Sequence, residues 1–270
     1  MITFPNAKIN LGLYITEKRP DGYHNLVSCF YPVGVQDVLE ILPAEELDLT
    51  IKGLPIDTPI QENLCYRTYQ LLAQDFNLSA VRIILLKNIP MGAGLGGGSA
   101  DVAFLIKMLN EYFNLHLSTL QMQNYASRLG SDCAFFIENK PKICLAKGDV
   151  FMPTSLNLQG KKIVVVYPNF AISTAEAYKG VKPTPLDFDL REKLEKSPIQ
   201  EWKYWLKNQF EEHLFEKYPI LAEIKSNLYA QGALYASMTG SGSAVYGIFE
   251  NFPAQISFSK SFWVWQGELY

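Results

Sequence analysis

Hydrophobic and polar positions alternate near the start of the chain. Ile9, Leu11, Leu13 and Ile15 fall on one side, and Lys8, Asn10 and Tyr14 on the other. A period of two predicts a strand with one face toward a core. Residues 33–42 and 81–86 read as further strands, and 45–52 as part of a hairpin or meander. The spacing turns helical over 63–76, with Leu64, Thr68, Leu71, Leu72 and Phe76 on one face and Asn63 suited to the N-cap. It is helical again where Val102, Leu105, Ile106, Leu109, Tyr112 and Phe113 recur. A third helix is predicted over 118–129, opened by a capping box of Ser118 and Gln121 and closed by Gly130 at C′.

Beyond 148–160 the texture changes. A loop with Pro153, Asn157 and Gly160 separates two apolar regions, which sets expected domains at 1–155 and 156–270. After it come a strand at 163–167, a short helix opening at Ser173, and a Pro- and charge-rich surface loop over 179–198. Helices are predicted over 200–215 and 219–231, and strands over 234–238 and 244–249. Residues 253–259 read as a helix and 261–266 as a last strand. Strands and helices mixed in this way predict an α+β sandwich.

Composition narrows the function classes. The chain has 270 residues, 48% hydrophobic and 19% charged, a globular balance long enough for two domains. A net charge of −3 gives no electrostatic footprint for nucleic acid, so none is expected as a partner. No apolar run is long enough for a membrane span, and the opening Ile2-Thr3-Phe4-Pro5 lacks a signal pattern, so a cytoplasmic protein is expected. Cys29, Cys65, Cys133 and Cys144 form no C-x-x-C pair and have no His at ligand spacing. They are predicted to be buried free thiols, with no protein-held metal.

The candidate chemistry lies in Pro90 to Asp101, which holds five of the chain's 18 glycines. A strand precedes it and a helix follows. Glycine allows positive φ and close backbone approach, and a helix start presents unbonded N–H groups with a positive dipole end. The combination predicts a phosphate site. No Gly-Lys-Ser/Thr occurs, so it is not a P-loop. Gly92, Gly94 and Gly97 satisfy G-x-G-x-x-G, but a helix stands where a dinucleotide fold needs a second strand ending in an acid.

Pro90, Gly94-Leu95 and Ser99-Ala100 resemble the ATP loop of the GHMP kinases, a family of small-molecule kinases. Three further stretches strengthen the resemblance: Pro5 to Leu11, Arg19 to His24, and Leu129 to Asp132. The resemblance implies a two-domain GHMP kinase fold of α+β class, with a ribosomal protein S5 domain 2-like N-terminal domain and a ferredoxin-like C-terminal domain. It implies transfer of a phosphoryl group from ATP with Mg²⁺ to a small-molecule acceptor, a cytidine diphosphate-linked polyol. A homoserine- or mevalonate-type acceptor, or a non-catalytic sensor on the same fold, is the alternative.

Site residues follow from the same resemblance. Lys8 and Asp132 are the implied catalytic pair, Asp132 accepting the hydroxyl proton and Lys8 offsetting charge. On local sequence alone, Lys8 reads better as part of an ordinary solvated strand face, and Asp132 reads equally as a helix cap. ATP binding is implied for Pro90, Met91, Gly92, Ala93, Gly94, Leu95, Gly96, Gly97, Gly98, Ser99 and Ala100, with Asn63 and Lys87 bordering the adenine. Acceptor binding is implied for Asn10, Tyr23, His24, Thr174, Tyr178, Gly240 and Gly242. Tyr23 and Tyr178 are expected to sandwich the cytosine, with His24 bonding its edge. Asn208 to Glu211 resembles a further family segment of structural or acceptor-facing role, and Ala175 stands where the family often has proline.

Overall fold

The structure is a computed structural model that describes residues 1–270. The chain opens with strands β1 (Ile2–Thr3), β2 (Asn6–Lys18), β3 (His24–Gln36), β4 (Val38–Pro43) and β5 (Asp48–Gly53). Helix α1 (Leu64–Asp75), strand β6 (Val81–Lys87) and helices α2 (Gly97–Tyr112), α3 (Thr119–Ser127) and α4 (Phe135–Glu138) follow. Then come β7 (Lys142–Leu145), β8 (Val150–Pro153), β9 (Lys162–Tyr167), α5 (Thr174–Lys179), α6 (Leu190–Lys196) and α7 (Ile199–Trp202). The chain closes with α8 (Glu211–Lys217), α9 (Pro219–Ala230), β10 (Tyr235–Met238), β11 (Val245–Phe249) and β12 (Trp263–Glu268).

These elements pack as two units. One comprises residues 1–7, 35–91 and 96–140; the other comprises 8–34, 92–95 and 141–270. The first is built on a four-stranded sheet in the order β1-β4-β6-β5, with α1 to α4. β5 pairs with β6 in parallel, so residues 45–53 are not half of a hairpin. They start a β-α-β crossover through α1, the connection that parallel neighbours require. The expected strand at 33–42 is interrupted at Asp37, whose carboxylate takes the backbone N–H groups of Asn88 and Ile89. Helix α3 has the predicted capping box. It ends at Ser127, however, and Gly130 is not in the left-handed region, so the expected C′ glycine is absent.

The second unit holds two sheets. One runs β2-β3-β7-β8; the other runs β10-β11-β9-β12, antiparallel throughout. Numbered by appearance within the domain, the latter order is 2-3-1-4, the ferredoxin-like arrangement. Residues 253–259 form no helix there, contrary to expectation. The predicted loop at 179–198 contains α6, capped by the Asp189 carboxylate, which accepts the N–H of Glu192 at 3.0 Å. The predicted helix at 200–215 is broken into α7 and α8. Between them Asn208 turns inward and donates from Nδ2 to the carbonyls of Met238 and Gly240, each at 2.9 Å. β2 is buried on both faces, since Lys8 and Asn10 are enclosed along with the apolar set. No helix is long and apolar enough to cross a membrane.

Candidate active site

The glycine stretch passes from the first unit into the second at residues 92–95 and back again. Within the second unit, Gly94 has φ +77°, and a Cβ there would lie 2.1 Å from the carbonyl oxygen of Thr239. Only glycine fits such an approach. The contact is fixed by hydrogen bonds. Thr239 Oγ1 donates to the Gly94 carbonyl at 3.0 Å, and the Ala244 N–H donates to the Ala93 carbonyl at 3.1 Å. The Lys8 N–H donates to the Leu95 carbonyl at 2.9 Å. Thus β2, the glycine stretch and the Thr239–Ser243 loop are tied together by two backbone hydrogen bonds and one from the Thr239 hydroxyl.

Lys8 is buried, and its Nζ donates to Asn10 Oδ1 at 2.6 Å and lies 4.6 Å from the Phe30 ring centroid. The same Asn10 oxygen accepts the Gly240 N–H at 2.9 Å, with the Thr239 hydroxyl oxygen 3.3 Å away. Asn10 Nδ2 donates to Ser28 Oγ at 2.9 Å, and the Tyr246 hydroxyl donates to the Asn10 carbonyl at 2.7 Å. Asn10 is therefore engaged by protein groups at both ends of its carboxamide, and its observed part is to hold Lys8 and the 239–243 loop in register.

Near His24, the Tyr178 ring stacks on the imidazole with centroids 4.8 Å apart and planes at 30°. Phe210 packs edge-on against Tyr178 at 5.0 Å. The expected sandwich pairs Tyr178 with Tyr23; the structure pairs it with His24. Tyr23 is 61% exposed, with the Lys147 ammonium 5.2 Å from its ring centroid. Burial, followed by the Lys18 charge, lowers the His24 pKa and favours the neutral imidazole. Thr174 is exposed at the first position of α5, behind the Ser173 cap.

In the first unit, α2 begins at Gly97 after Gly96 in the left-handed conformation at φ 72°, and no side chain caps it. The first-turn N–H groups have no side-chain acceptor, which is the condition for binding an anion. Gly97 is buried because its backbone lies against Ile89. An added Cβ would stand 2.8 Å from Ile89 Cγ2 and 3.0 Å from Lys87 Nζ. Gly98 has more room, with Leu64 Cδ1 at 3.4 Å. It borders a cavity of about 80 Å³ lined also by Asn63, Leu64, Leu85, Met91 and Asp101. Asn63 Oδ1 accepts the Cys65 N–H at 2.8 Å, so its Nδ2 is what it can offer a ligand.

Lys87 does not line that cavity, although its partner Asp101 does. Its ammonium is enclosed by Asp37 and by Asp101, the latter at 2.8 Å, and it supports the start of α2 from below. Asp132 is half-buried, and its Oδ1 accepts the Ser131 hydroxyl at 3.2 Å. It does not cap α4, whose N-cap is Ala134. Ser99 approaches the buried Cys133, whose thiol pKa burial pushes up to about 12. Among the described residues, no group of three or more His, Cys, Asp and Glu side chains could hold a metal ion.

Ser28, Tyr246, Asp37 and Asp101 are constituents that sequence reasoning missed. Their signal was a polar side chain inside an otherwise apolar run, as Ser28 between Val27 and Cys29 and Asp37 between two valine-bearing stretches.

Residues 63–140 match the family described as GHMP kinases N terminal domain, and residues 190–259 match GHMP kinases C terminal. The chain is 50% identical over 254 residues to the 4-diphosphocytidyl-2-C-methyl-D-erythritol kinase of Bacteroides thetaiotaomicron, covering 93% of this chain and 92% of the relative. A crystal structure of 4-(cytidine 5'-diphospho)-2C-methyl-D-erythritol kinase superposes with a TM-score of 0.77 at 31% identity, covering 92% of this chain and 90% of that one. Homoserine kinase from Cytophaga hutchinsonii matches with a TM-score of 0.65 at 11% identity over 98% and 95% of the two chains, a likeness of fold.

Proposed function

This chain belongs to the GHMP kinase family, and we propose that it transfers the γ-phosphoryl group of ATP to the 2-hydroxyl of 4-diphosphocytidyl-2-C-methyl-D-erythritol, a step of the non-mevalonate isoprenoid pathway. The observation that carries the reading is the clamp at Gly94, where Thr239 approaches more closely than any side chain would permit. A glycine loop held this tightly is built to present backbone to a ligand. The kinship with chains bearing that kinase name over nine-tenths of the sequence supplies the acceptor. The residues fit ATP: the uncapped start of α2 suits phosphate, and the cavity beside Asn63 and Gly98 suits the base. The two family matches, which end at 140 and begin at 190, lie on either side of the proposed boundary near residue 155, while residues 8–34 and 141–155 pack with the second unit. Four buried cysteines that form no disulfide support a cytoplasmic setting.

In this reading ATP supplies the phosphoryl group and Mg²⁺ accompanies its phosphates, adding positive charge to the transferring group. Ser99, in the first turn of α2, is the side chain that would reach the ion or a phosphate oxygen. The substrate hydroxyl oxygen forms a bond to the γ-phosphorus, and the bond from that phosphorus to the ADP oxygen breaks. The hydroxyl proton passes to the Asp132 carboxylate. Lys8, held by Asn10, offsets the charge on the transferring group. Positioning and charge neutralisation provide most of the catalysis in such transfers.

An ATP-consumption assay with the cytidyl acceptor, homoserine and mevalonate in parallel tests the proposal. ADP should form with the cytidyl acceptor alone. Formation with homoserine or mevalonate, or with none of the three, would overturn the acceptor assignment.

A further inference from the structure

A buried carboxamide has two orientations that exchange its acceptor and its donor. Asn10 is 1% exposed, and only one orientation places an oxygen at the Lys8 ammonium. The selection comes from the other end of the group. Asn10 Nδ2 donates to Ser28 Oγ at 2.9 Å, and Ser28 Oγ donates to the Gly12 carbonyl at 2.5 Å. A carbonyl has no proton to give, so the Ser28 proton is committed to Gly12 and the Ser28 oxygen accepts from Asn10. Turning the carboxamide over would set its oxygen against a serine oxygen without a proton between them. It would also set its NH₂ against both the Lys8 ammonium and the Gly240 N–H.

We propose that Ser28 is a positioning residue for phosphoryl transfer: by fixing the polarity of the Asn10 carboxamide, it holds the Lys8 ammonium where the transferring group meets it. Ser28 is fully buried in β3 between apolar neighbours, where a hydroxyl adds nothing to packing and is costly to enclose without partners. Phe30, two residues on and therefore on the same face of the strand, lies against the Lys8 ammonium. One face of β3 thus holds Lys8 twice, directly through Phe30 and through Asn10 by way of Ser28. The proposal rests on the reading of Lys8 as the residue that offsets charge in the transfer.

The test compares Ser28→Ala, Ser28→Thr and Lys8→Ala with the unaltered enzyme, using ATP and the cytidyl acceptor. Ser28→Ala should lower kcat about tenfold to a hundredfold, the worth of a hydrogen bond to a charged group. Both KM values should stay close to the parent, because a geometry used in the transition state is lost rather than a binding contact, while the melting temperature falls because Asn10 and Gly12 lose buried partners. Ser28→Thr keeps the hydroxyl and should restore kcat. The Lys8→Ala/Ser28→Ala double variant should be no slower than Lys8→Ala alone. If Ser28→Ala does not fold, Ser28→Cys keeps nearly the volume with a weak acceptor and should show the kcat loss instead.

Full kcat in folded Ser28→Ala beside an inactive Lys8→Ala overturns the relay and leaves the role of Lys8 standing. Full turnover in Lys8→Ala overturns both. A Ser28→Thr protein as slow as Ser28→Ala, with a lowered melting temperature, assigns Ser28 to packing and overturns the proposal as well.

Discussion

Lys87 Nζ and Asp101 Oδ2 meet at 2.8 Å in a site closed to solvent, while the other oxygen of Asp101 is buried without a hydrogen-bond partner. Asp37 lies on the same ammonium, so two carboxylates share one cation. Burial raises the Asp101 pKa to about 7; the Lys87 charge opposes the shift and Asp37 adds to it. A carboxyl near 3.9 in the unfolded chain and about 7 in the folded one favours folding when protonated. Its contribution is fully present below about pH 4 and is lost as pH rises to about 7. Asp101→Asn removes that dependence and keeps an oxygen for Lys87. Between pH 5 and pH 8 the variant should therefore gain about 2–3 kcal/mol relative to the parent. Denaturant titrations at several pH values check this, and parallel stability curves for the two proteins would dismiss the buried excess charge.

Adjacent glycines in the loop should fail in different ways. Gly97→Ala pushes a methyl into Ile89 at 2.8 Å, at the base of α2 where little can move. The expected outcome is a lower melting temperature, by an amount typical of overpacking, on the order of 1–3 kcal/mol. Gly98→Val adds bulk beside the cavity and meets only Leu64 at 3.4 Å. It should fold and raise the KM for ATP while the acceptor KM stays put. Calorimetric titration with ATP and thermal melts of both variants separate the two. An unchanged ATP affinity in folded Gly98→Val would remove the phosphate site from the start of α2.

Period and turn chemistry made much of this legible. The capping box at Ser118, the Asn63 cap, β6 and β9 to β11 all follow from local rules that tertiary packing left undisturbed. The misreadings share a cause, which is a partner distant in sequence. β5 pairs with β6 rather than β4 because α1 returns the chain beside it. The helix expected at 200–215 breaks because Asn208 is drawn to the carbonyls of Met238 and Gly240. Lys8 and Asn10 were legible as a pair from their i, i+2 spacing. Ser28, which completes them, was not, since nothing local distinguishes a relay hydroxyl from a serine that fills a strand.

Asp132 distinguishes a proton acceptor from a structural acid. It does not cap α4, so Asp132→Asn should cost turnover far more than melting temperature. Turnover should fall on the order of 10²–10⁴-fold, the usual worth of a general base, with the ATP KM little altered. Steady-state kinetics beside thermal melts check both statements. Retention of most of the turnover would take the acid out of the chemistry.

The aromatic residues near His24 bear on acceptor choice. The His24 and Tyr178 rings are 4.8 Å apart, whereas a base inserted between two rings needs about twice a van der Waals separation, about 7 Å. Cytosine therefore has no place between them, and in the proposed reading the stacked pair would form one wall of the acceptor site. Tyr23 is 61% exposed and can cover a base at little cost to the fold. Stacking on an aromatic ring is worth about 1–3 kcal/mol per base, so Tyr23→Ala should raise the KM for the cytidyl acceptor about tenfold. The ATP KM and the melting temperature should hold. Tyr178→Ala loses contacts with His24 and with Phe210 and should lower the melting temperature as well as raise the acceptor KM. Tyr178→Phe keeps the ring and should behave as the parent. Acceptor KM, ATP KM and melting temperature measured for all three variants decide the matter. A Tyr23→Ala enzyme with an unchanged acceptor KM would mean that the base is held elsewhere.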